Sequence, residues 1–325
     1  MSCPMRIVFM GTPDFAVPSL RKLHEKGHDI ALVVTQPDRP AGRGRALRSP
    51  PVKDAATALG LPLEQHETVN TDEFVERLRA LAPDVLVVAA FGQILREDIL
   101  DCPPGGAVNV HASLLPRYRG VAPINWVIMK GESETGVTTM FMAKKVDAGE
   151  IILTRKIPIG DRETAGELYD RLAELGADLL IETLELIDAG EAPRSAQDPE
   201  QVTYARKLKK TDAEIDWSKD AARVYDRIRG TIPWPGAFTW YRGRVLRVLE
   251  AARGACAGNR GQPGEVLTLD DEKGIEVATG SGSVWLTRVR PEGKGAMDAA
   301  SFVRGYRPEV GTRPFERAGD EEGER

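Results

Sequence analysis

The sequence has little cysteine. Its 325 residues hold three, Cys3, Cys102 and Cys256. They lie far apart and form no C-x-x-C pair. That argues against a disulfide framework or a cysteine-ligated zinc site, and it fits a reducing compartment. No apolar run approaches the ~18 residues of a membrane span, and Met1–Arg6 carries no apolar segment of the secretion-signal kind. A cytoplasmic protein that does not enter membranes is expected. No G-x-G-x-x-G run is present, which argues against a nicotinamide cofactor. No internal repeat is visible. An overall positive charge is also missing: the net charge is −5, so any nucleic-acid site must be local.

What is present is ordinary for a globular chain, with 42% hydrophobic and 29% charged residues. The length suits two domains at roughly 150 residues each. In the first half, short β-branched runs at Arg6–Met10, Ile30–Gln36, Val85–Ala90 and Ala107–Val110 alternate with amphipathic stretches at Phe15–Lys26, Val52–Leu59 and Asp72–Leu81. Two later strands read at Val137–Ala143 and Glu150–Ile157, and a long helix at Thr164–Ile187. This alternation predicts an α/β domain with a mostly parallel sheet over residues 1–189. A linker rich in Gly, Pro and acids follows, over 190–208. Short runs separated by Gly and charged turns then predict a small β-barrel over 209–316. The acidic tail, 317–325, reads as disordered.

Four segments carry candidate chemistry. Gly11-Thr12-Pro13-Asp14-Phe15 follows the first strand, where open α/β sheets bind ligands, though a tight turn with a helix cap explains it equally well. Asn109-Val110-His111 lies on a strand. Alternation puts Asn109 and His111 on one face. An amide can stabilise the oxyanion of acyl transfer, and an imidazole can handle the proton an amine releases. A lone strand histidine is more often a core residue. The loop Ala112–Gly120 just beyond, with two arginines, Pro and Gly, shifts the balance toward function. Asp147 sits on a Gly-containing turn. It either bonds its own turn, as such residues usually do, or orients His111. The basic run Arg39–Arg48 carries four arginines and two glycines. With Arg206–Lys210 and a third set at Arg223–Arg247, it makes three basic patches in an acidic chain, which points to a phosphate-rich partner. His24 and His28 have helical metal-ligand spacing, but Gly27 ends that helix and they read as surface residues.

The run Asn109–Gly120 (NVHASLLPRYRG), with Asp147-Ala148-Gly149 downstream, closely resembles the signature of the folate-dependent formyltransferases. Gly11–Pro18 (GTPDFAVP) and the stretch from Lys207 to Trp217 resemble the branch of that family that acts on methionyl-tRNA. The resemblance runs from about Met5 to Phe315. It implies a Rossmann-like formyltransferase domain followed by an OB-like barrel. It further implies 10-formyltetrahydrofolate as formyl donor, methionyl initiator tRNA as acceptor, and no metal. Asn109, His111 and Asp147 fall on the family's catalytic positions. Ser113, Leu114, Leu115 and Pro116 fall on its folate loop. By position, the strand end carrying Phe91, Gly92 and Ile94 lines the pterin pocket. Arg43 and Arg45 fall on the loop that meets the tRNA acceptor end, and Lys207 and Lys209 on the basic junction. Two departures are visible: Arg117 stands where Lys is commoner, and Thr211-Asp212 where two acids are commoner. A monomer is expected. Alternative readings are an N-formyltransferase acting on an amino-sugar nucleotide, a 10-formyltetrahydrofolate hydrolase, or a catalytically silent RNA-binding module.

Overall fold

A computed structural model describes residues 4–41, 46–254, 258 and 261–315. The chain folds as two compact units that are not contiguous in sequence. The first holds residues 1–123, 134–157 and 169–205; the second holds 124–133, 158–168 and 206–325.

The first unit is an α/β sheet. Its strands are β1 (Arg6–Gly11), β2 (Asp29–Thr35), the short pair β3 (Arg39–Ala41) and β4 (Ala46–Arg48), β5 (Leu63–Gln65), β6 (Val85–Ala89), β7 (Ala107–His111), β8 (Arg119–Gly120), β9 (Glu134–Phe141), β10 (Ile151–Pro158) and β11 (Tyr204–Ala205). The main sheet runs β10-β9-β7-β6-β1-β2-β5. The pairs from β7 to β5 are parallel, and β7 meets β9 antiparallel. The strands β6 and β7 are buried along their whole length. That is why β6 reads as a continuous apolar run, whereas β7 carries the polar Asn109 and His111 at alternate positions.

Helices α1 (Val17–Glu25), α2 (Pro51–Ala58), α3 (Asp72–Leu81) and α4 (Glu97–Leu100) join these strands. The bounds of α3 follow from its caps. The Thr71 hydroxyl accepts from the Phe74 amide, and Ala82 closes the helix in the left-handed region. The chain goes from β1 to β2 on one side and later returns to β6 on the other, so the strand order reverses between β1 and β6. In open α/β sheets the crevice outside the carboxyl ends at such a point is where ligands bind.

His24 is exposed and His28 is half-buried. The His28 Nδ1 accepts the Met5 amide at 3.3 Å. Burial pushes its pKa down, and the Asp188 and Glu185 carboxylates restore only part of the loss. The unfolded chain therefore takes up a proton at higher pH, near ~6.5. Stability is lost as pH falls through that value toward the lowered folded one. Exchanging His28→Asn should flatten this part of the melting temperature profile between about pH 7.5 and 5.5; an unchanged slope would place its origin elsewhere.

The second unit contains α5 (Pro123–Met129) from Ile124 onward, the first turn of α6 (Ala165–Asp188), and α7 (Ala221–Gly230). Its sheet comprises β12 (Phe238–Tyr241), β13 (Arg244–Arg253), β14 (Val266–Asp270), β15 (Gly274–Ala278), β16 (Ser283–Pro291) and β17 (Met297–Asp298), followed by α8 (Ala299–Tyr306). The order is β12-β13-β16-β15-β14 with β17 on β16, and every pair is antiparallel. Inward residues such as Leu246, Ile275, Leu286 and Phe302 form one core with α7. Residues 124–133 belong to this unit although they precede its sheet by some 100 positions.

Candidate active site

Asn109 and His111 project from one face of β7, with Val108 and Val110 on the other. Both polar side chains are buried, at 9% and 6% exposure. Buried polar groups cost free energy unless they find partners. His111 has them. Its Nε2 lies 3.1 Å from the Tyr118 carbonyl oxygen. A carbonyl only accepts, so Nε2 carries the proton. Nδ1 faces Asp147 Oδ1 at 3.7 Å. Neutral His111 therefore holds its lone pair on Nδ1, on the carboxylate side. The Asn109 amide differs: it makes no hydrogen bond among the described residues. A buried amide with unused donors is ready for a ligand's oxygen.

Asp147 is positioned by backbone geometry and by its neighbours. Its φ is +52°, a left-handed conformation that Asp tolerates better than most residues. Its Oδ2 accepts the Gly120 amide at 2.8 Å. The turn presses against the end of β9 at Gly149, where a Cβ would sit 1.7 Å from the Phe141 carbonyl oxygen. Gln197 holds the turn from the other side. Its amide donates to the carbonyls of Asp147 at 2.9 Å and Gly149 at 2.8 Å. Its Oε1 accepts from Arg119 Nε at 3.1 Å and Nη2 at 2.7 Å. Arg119 itself is buried.

Gln197 and Thr203 are not legible in the sequence as site residues. Both lie in the stretch that composition marks as linker. Thr203 Oγ1 accepts the Tyr118 amide at 2.8 Å, which fixes the carbonyl that bonds His111. No sequence signal marks either residue, because the partners are distant along the chain. Gln197→Ala should slow formyl transfer in a single turnover by about 10-fold, in the range that sub-ångström misplacement produces. A fall in melting temperature with an unchanged rate would limit Gln197 to a structural role.

The loop after β7 is fixed internally. Ser113 Oγ donates to the Arg117 carbonyl at 2.7 Å. Thr138 Oγ1 donates to the Ser113 carbonyl at 2.7 Å and accepts the Leu115 amide at 3.2 Å. Ser113 and Leu115 are buried, while Leu114 and Pro116 are half-buried. Because Val88 pairs with Asn109, the loop after β6 starts beside this one. Phe91 is buried, and its carbonyl accepts from Thr12 Oγ1 at 3.0 Å. The Gly11-Thr12 turn thus ties the ends of β1 and β6. Gly92 has φ +88° with open space where a Cβ would point, and Ile94 is 66% exposed.

Arg43 and Arg45 lie outside the described residues. Lys207 and Lys209 belong to the second unit, where they are exposed. Among the described residues neither forms an ion pair. Arg206 does, reaching Asp212 at 2.5 and 2.8 Å. Asp212 also accepts the Lys209 amide at 2.7 Å. The Arg206 guanidinium is the chief cause of an Asp212 carboxyl pKa below its ordinary value, outweighing the burial that pushes it up. The single acid Asp212 thus closes residues 206–212 on themselves. Among the described residues no cluster of three His, Cys, Asp or Glu is placed to hold a metal, and no helix is long and apolar enough to cross a membrane.

Two family models match the chain: "Formyl transferase" over residues 5–184 and "Formyl transferase, C-terminal domain" over 207–307. A methionyl-tRNA formyltransferase of Geobacter sulfurreducens is 49% identical over 95% of this chain and 96% of its own length. One of Moorella thermoacetica is 52% identical over 93% and 96%. Among solved structures, HypX of Aquifex aeolicus in complex with tetrahydrofolic acid shares the fold with TM-score 0.64 and 21% identity, covering 95% of this chain and 48% of that one. An N-formyltransferase of Helicobacter canadensis with folinic acid and dTDP-3-aminofucose does so with TM-score 0.65 and 17% identity, covering 87% and 99%. The β7 pair Asn109 and His111, the Asp147 turn facing them, and near-full-length identity to these relatives agree: the chain belongs to the methionyl-tRNA formyltransferases of the formyl transferase family.

Proposed function

We infer that this enzyme transfers the formyl group of 10-formyltetrahydrofolate to the α-amino group of methionyl initiator tRNA, with Asn109, His111 and Asp147 at the reacting centre. The observation that carries the reading is the buried, unpartnered Asn109 amide beside His111. The folate supplies the formyl group as a consumed donor. Its binding residues in this reading are Ser113–Pro116, Phe91, Gly92 and Ile94, from the neighbouring loops after β7 and β6.

The uncharged amine attacks the formyl carbon. An α-amino group titrates near ~8 in model peptides, so a useful fraction is uncharged at neutral pH. A C–N bond to the amine forms, the bond to folate N10 breaks, and the amine's proton ends on the folate, so no net proton is consumed. Asn109 donates to the formyl oxygen as negative charge builds there. His111 takes the amine's proton on Nδ1 and returns it to the leaving nitrogen, while its Nε2 proton stays with the Tyr118 carbonyl. Asp147 Oδ1 accepts the hydrogen bond of the newly protonated Nδ1. Arg43, Arg45, Lys207 and Lys209 bind tRNA in this reading. A single chain supplies all three reacting residues, so a monomer suffices. A cytoplasmic location follows from the charged tRNA acceptor.

The sugar N-formyltransferases share the fold at identities that carry no substrate. The relatives of Geobacter sulfurreducens and Moorella thermoacetica, at 49% and 52% identity, bear the tRNA name. Offering purified enzyme a charged initiator tRNA, a charged elongator tRNA and an amino-sugar nucleotide tests the reading: formylation of the sugar in preference to tRNA would overturn it. In the same assay Arg43→Ala should raise the KM for tRNA by about tenfold or more, as loss of a phosphate contact does. Equal losses in tRNA use and in acceptor-free donor hydrolysis would remove Arg43 from the tRNA site.

A further inference from the structure

Within the second unit, α5 and α7 enclose a surface pocket lined by Trp126, Lys130, Asp216, Lys219, Arg223 and Arg227 over an apolar floor. The charge is one-sided, with four cations against one carboxylate. The cations are also incompletely neutralised. Lys219 reaches Asp216 at 3.4 Å, and Arg223 reaches Asp220 only at 3.9 Å. Arg227 donates to the Asp212 carbonyl at 2.6 Å, and the Asp212 carboxylate, which Arg206 already clamps, balances its charge only in part. Lys130 is exposed and, among the described residues, has no ion pair. With Asp216 and Asp220 as the carboxylates nearest Lys219 and Arg223, the four cations leave the hollow with an excess of positive charge that a further anion would relieve.

Trp126 organises this charge. Its ring carries Lys130 Nζ at 6.0 Å and the Arg206 guanidinium at 4.9 Å from the centroid. Its indole N–H donates to the Arg206 carbonyl at 2.8 Å. The pocket is therefore continuous with the junction segment that carries the exposed Lys207, Lys209 and Lys210. The result is a track of cations, of which Arg206 and Arg227 are held by hydrogen bonds. Such a track matches a backbone with one negative charge per nucleotide.

We propose that the pocket formed by Lys130, Lys219, Arg223 and Arg227 holds consecutive phosphates of the bound tRNA, extending the contact made by the junction lysines. The proposal rests on the tRNA reading above. It explains why residues 124–133, interposed within the sequence of the first unit, pack in the second: they bring Lys130 and Trp126 to α7.

The test is binding of uncharged initiator tRNA to the full-length enzyme across a salt series. Lys130→Gln/Arg223→Gln alters exposed side chains only, and an unshifted thermal melt verifies its fold. This variant should bind tRNA about tenfold more weakly at moderate salt. Its slope of log Kd against log salt should fall by about two, one per lost phosphate contact. Lys294→Gln, an exposed cation of the same unit outside the pocket, is the comparison. If Lys130→Gln/Arg223→Gln loses no more affinity or slope than Lys294→Gln while the wild type binds tightly, the pocket is not a phosphate site and the tRNA reading stands. If the wild type itself binds tRNA without salt dependence, the tRNA reading fails and the proposal with it.

Discussion

Replacing His111 by Ala is expected to slow single-turnover formyl transfer by about 10²–10⁴-fold, the usual range for a positioned proton shuttle. Asn109→Ala should cost a similar amount, about 3–4 kcal/mol of transition-state stabilisation. The two losses have different signatures. Asn109 donates from an amide that does not titrate, so its variant should keep the wild-type pH profile at a lower rate. The lone pair of His111 is on Nδ1 because Tyr118 claims the Nε2 proton. Removing the ring removes the shuttle, and the rate of His111→Ala should then follow only the fraction of uncharged amine. Asp147→Asn leaves the Gly120 amide its acceptor but replaces the carboxylate facing Nδ1. In the proposed mechanism Asp147 acts through His111, so the double variant with His111→Ala should lose little beyond His111→Ala alone. Full additivity would separate the two residues. A near wild-type rate for either Asn109→Ala or His111→Ala would remove that residue from the chemistry.

Much of this site is readable in the sequence because the signals are local. The runs at Val85–Ala90 and Ala107–Val110 mark strands whose ends differ by one residue from β6 and β7. The Asp72–Leu81 pattern matches α3 at its observed bounds. Strand alternation alone sets Asn109 beside His111. Features made by distant partners leave no such trace. Gln197 looks like one polar residue in a linker, yet it joins Arg119 to the Asp147 turn across 78 and 50 positions. Leu63–Gln65 is too short for a period-2 pattern and exists because it pairs with β2. The helix α8 has a cap signal in Asp298 bonding the Ser301 amide, but the β-like runs before it mask that signal. The basic loop is flanked by a hairpin pairing of Arg39–Ala41 with Ala46–Arg48, where composition alone presents a flexible segment. The assignment of residues 124–133 to the second unit is a property of packing, and a linear reading has no access to it.

The second large effect is expected at a residue that touches neither substrate nor proton. A Cβ on Gly149 would lie 1.7 Å from the Phe141 carbonyl oxygen and 2.8 Å from its carbon. Both are backbone atoms at the end of β9, and the adjoining Phe141 amide is itself bonded to the Glu150 carbonyl at 2.9 Å. No rotamer change can relieve such a contact, so the turn must move. Its φ/ψ requirement is not the issue, since Gly149 is not among the positive-φ residues; the constraint is space. Overpacking of this kind costs typically about 1–3 kcal/mol and more when only backbone can yield. The displacement is passed to Asp147, two residues away and already in the left-handed region. A shift of about 1 Å there is enough to cost about 10²-fold in rate. Gly149→Ala should therefore lower both the melting temperature and the single-turnover rate of the folded enzyme. Gly190→Ala is the comparison: its φ is +70°, but nothing lies within 4 Å of the added Cβ. That variant should carry only the left-handed strain of about 1–2 kcal/mol and keep its rate. If Gly149→Ala instead behaves like Gly190→Ala, with stability lowered and rate retained, then the close approach to Phe141 does not seat Asp147, and the Gln197 and Gly120 hydrogen bonds suffice to hold it.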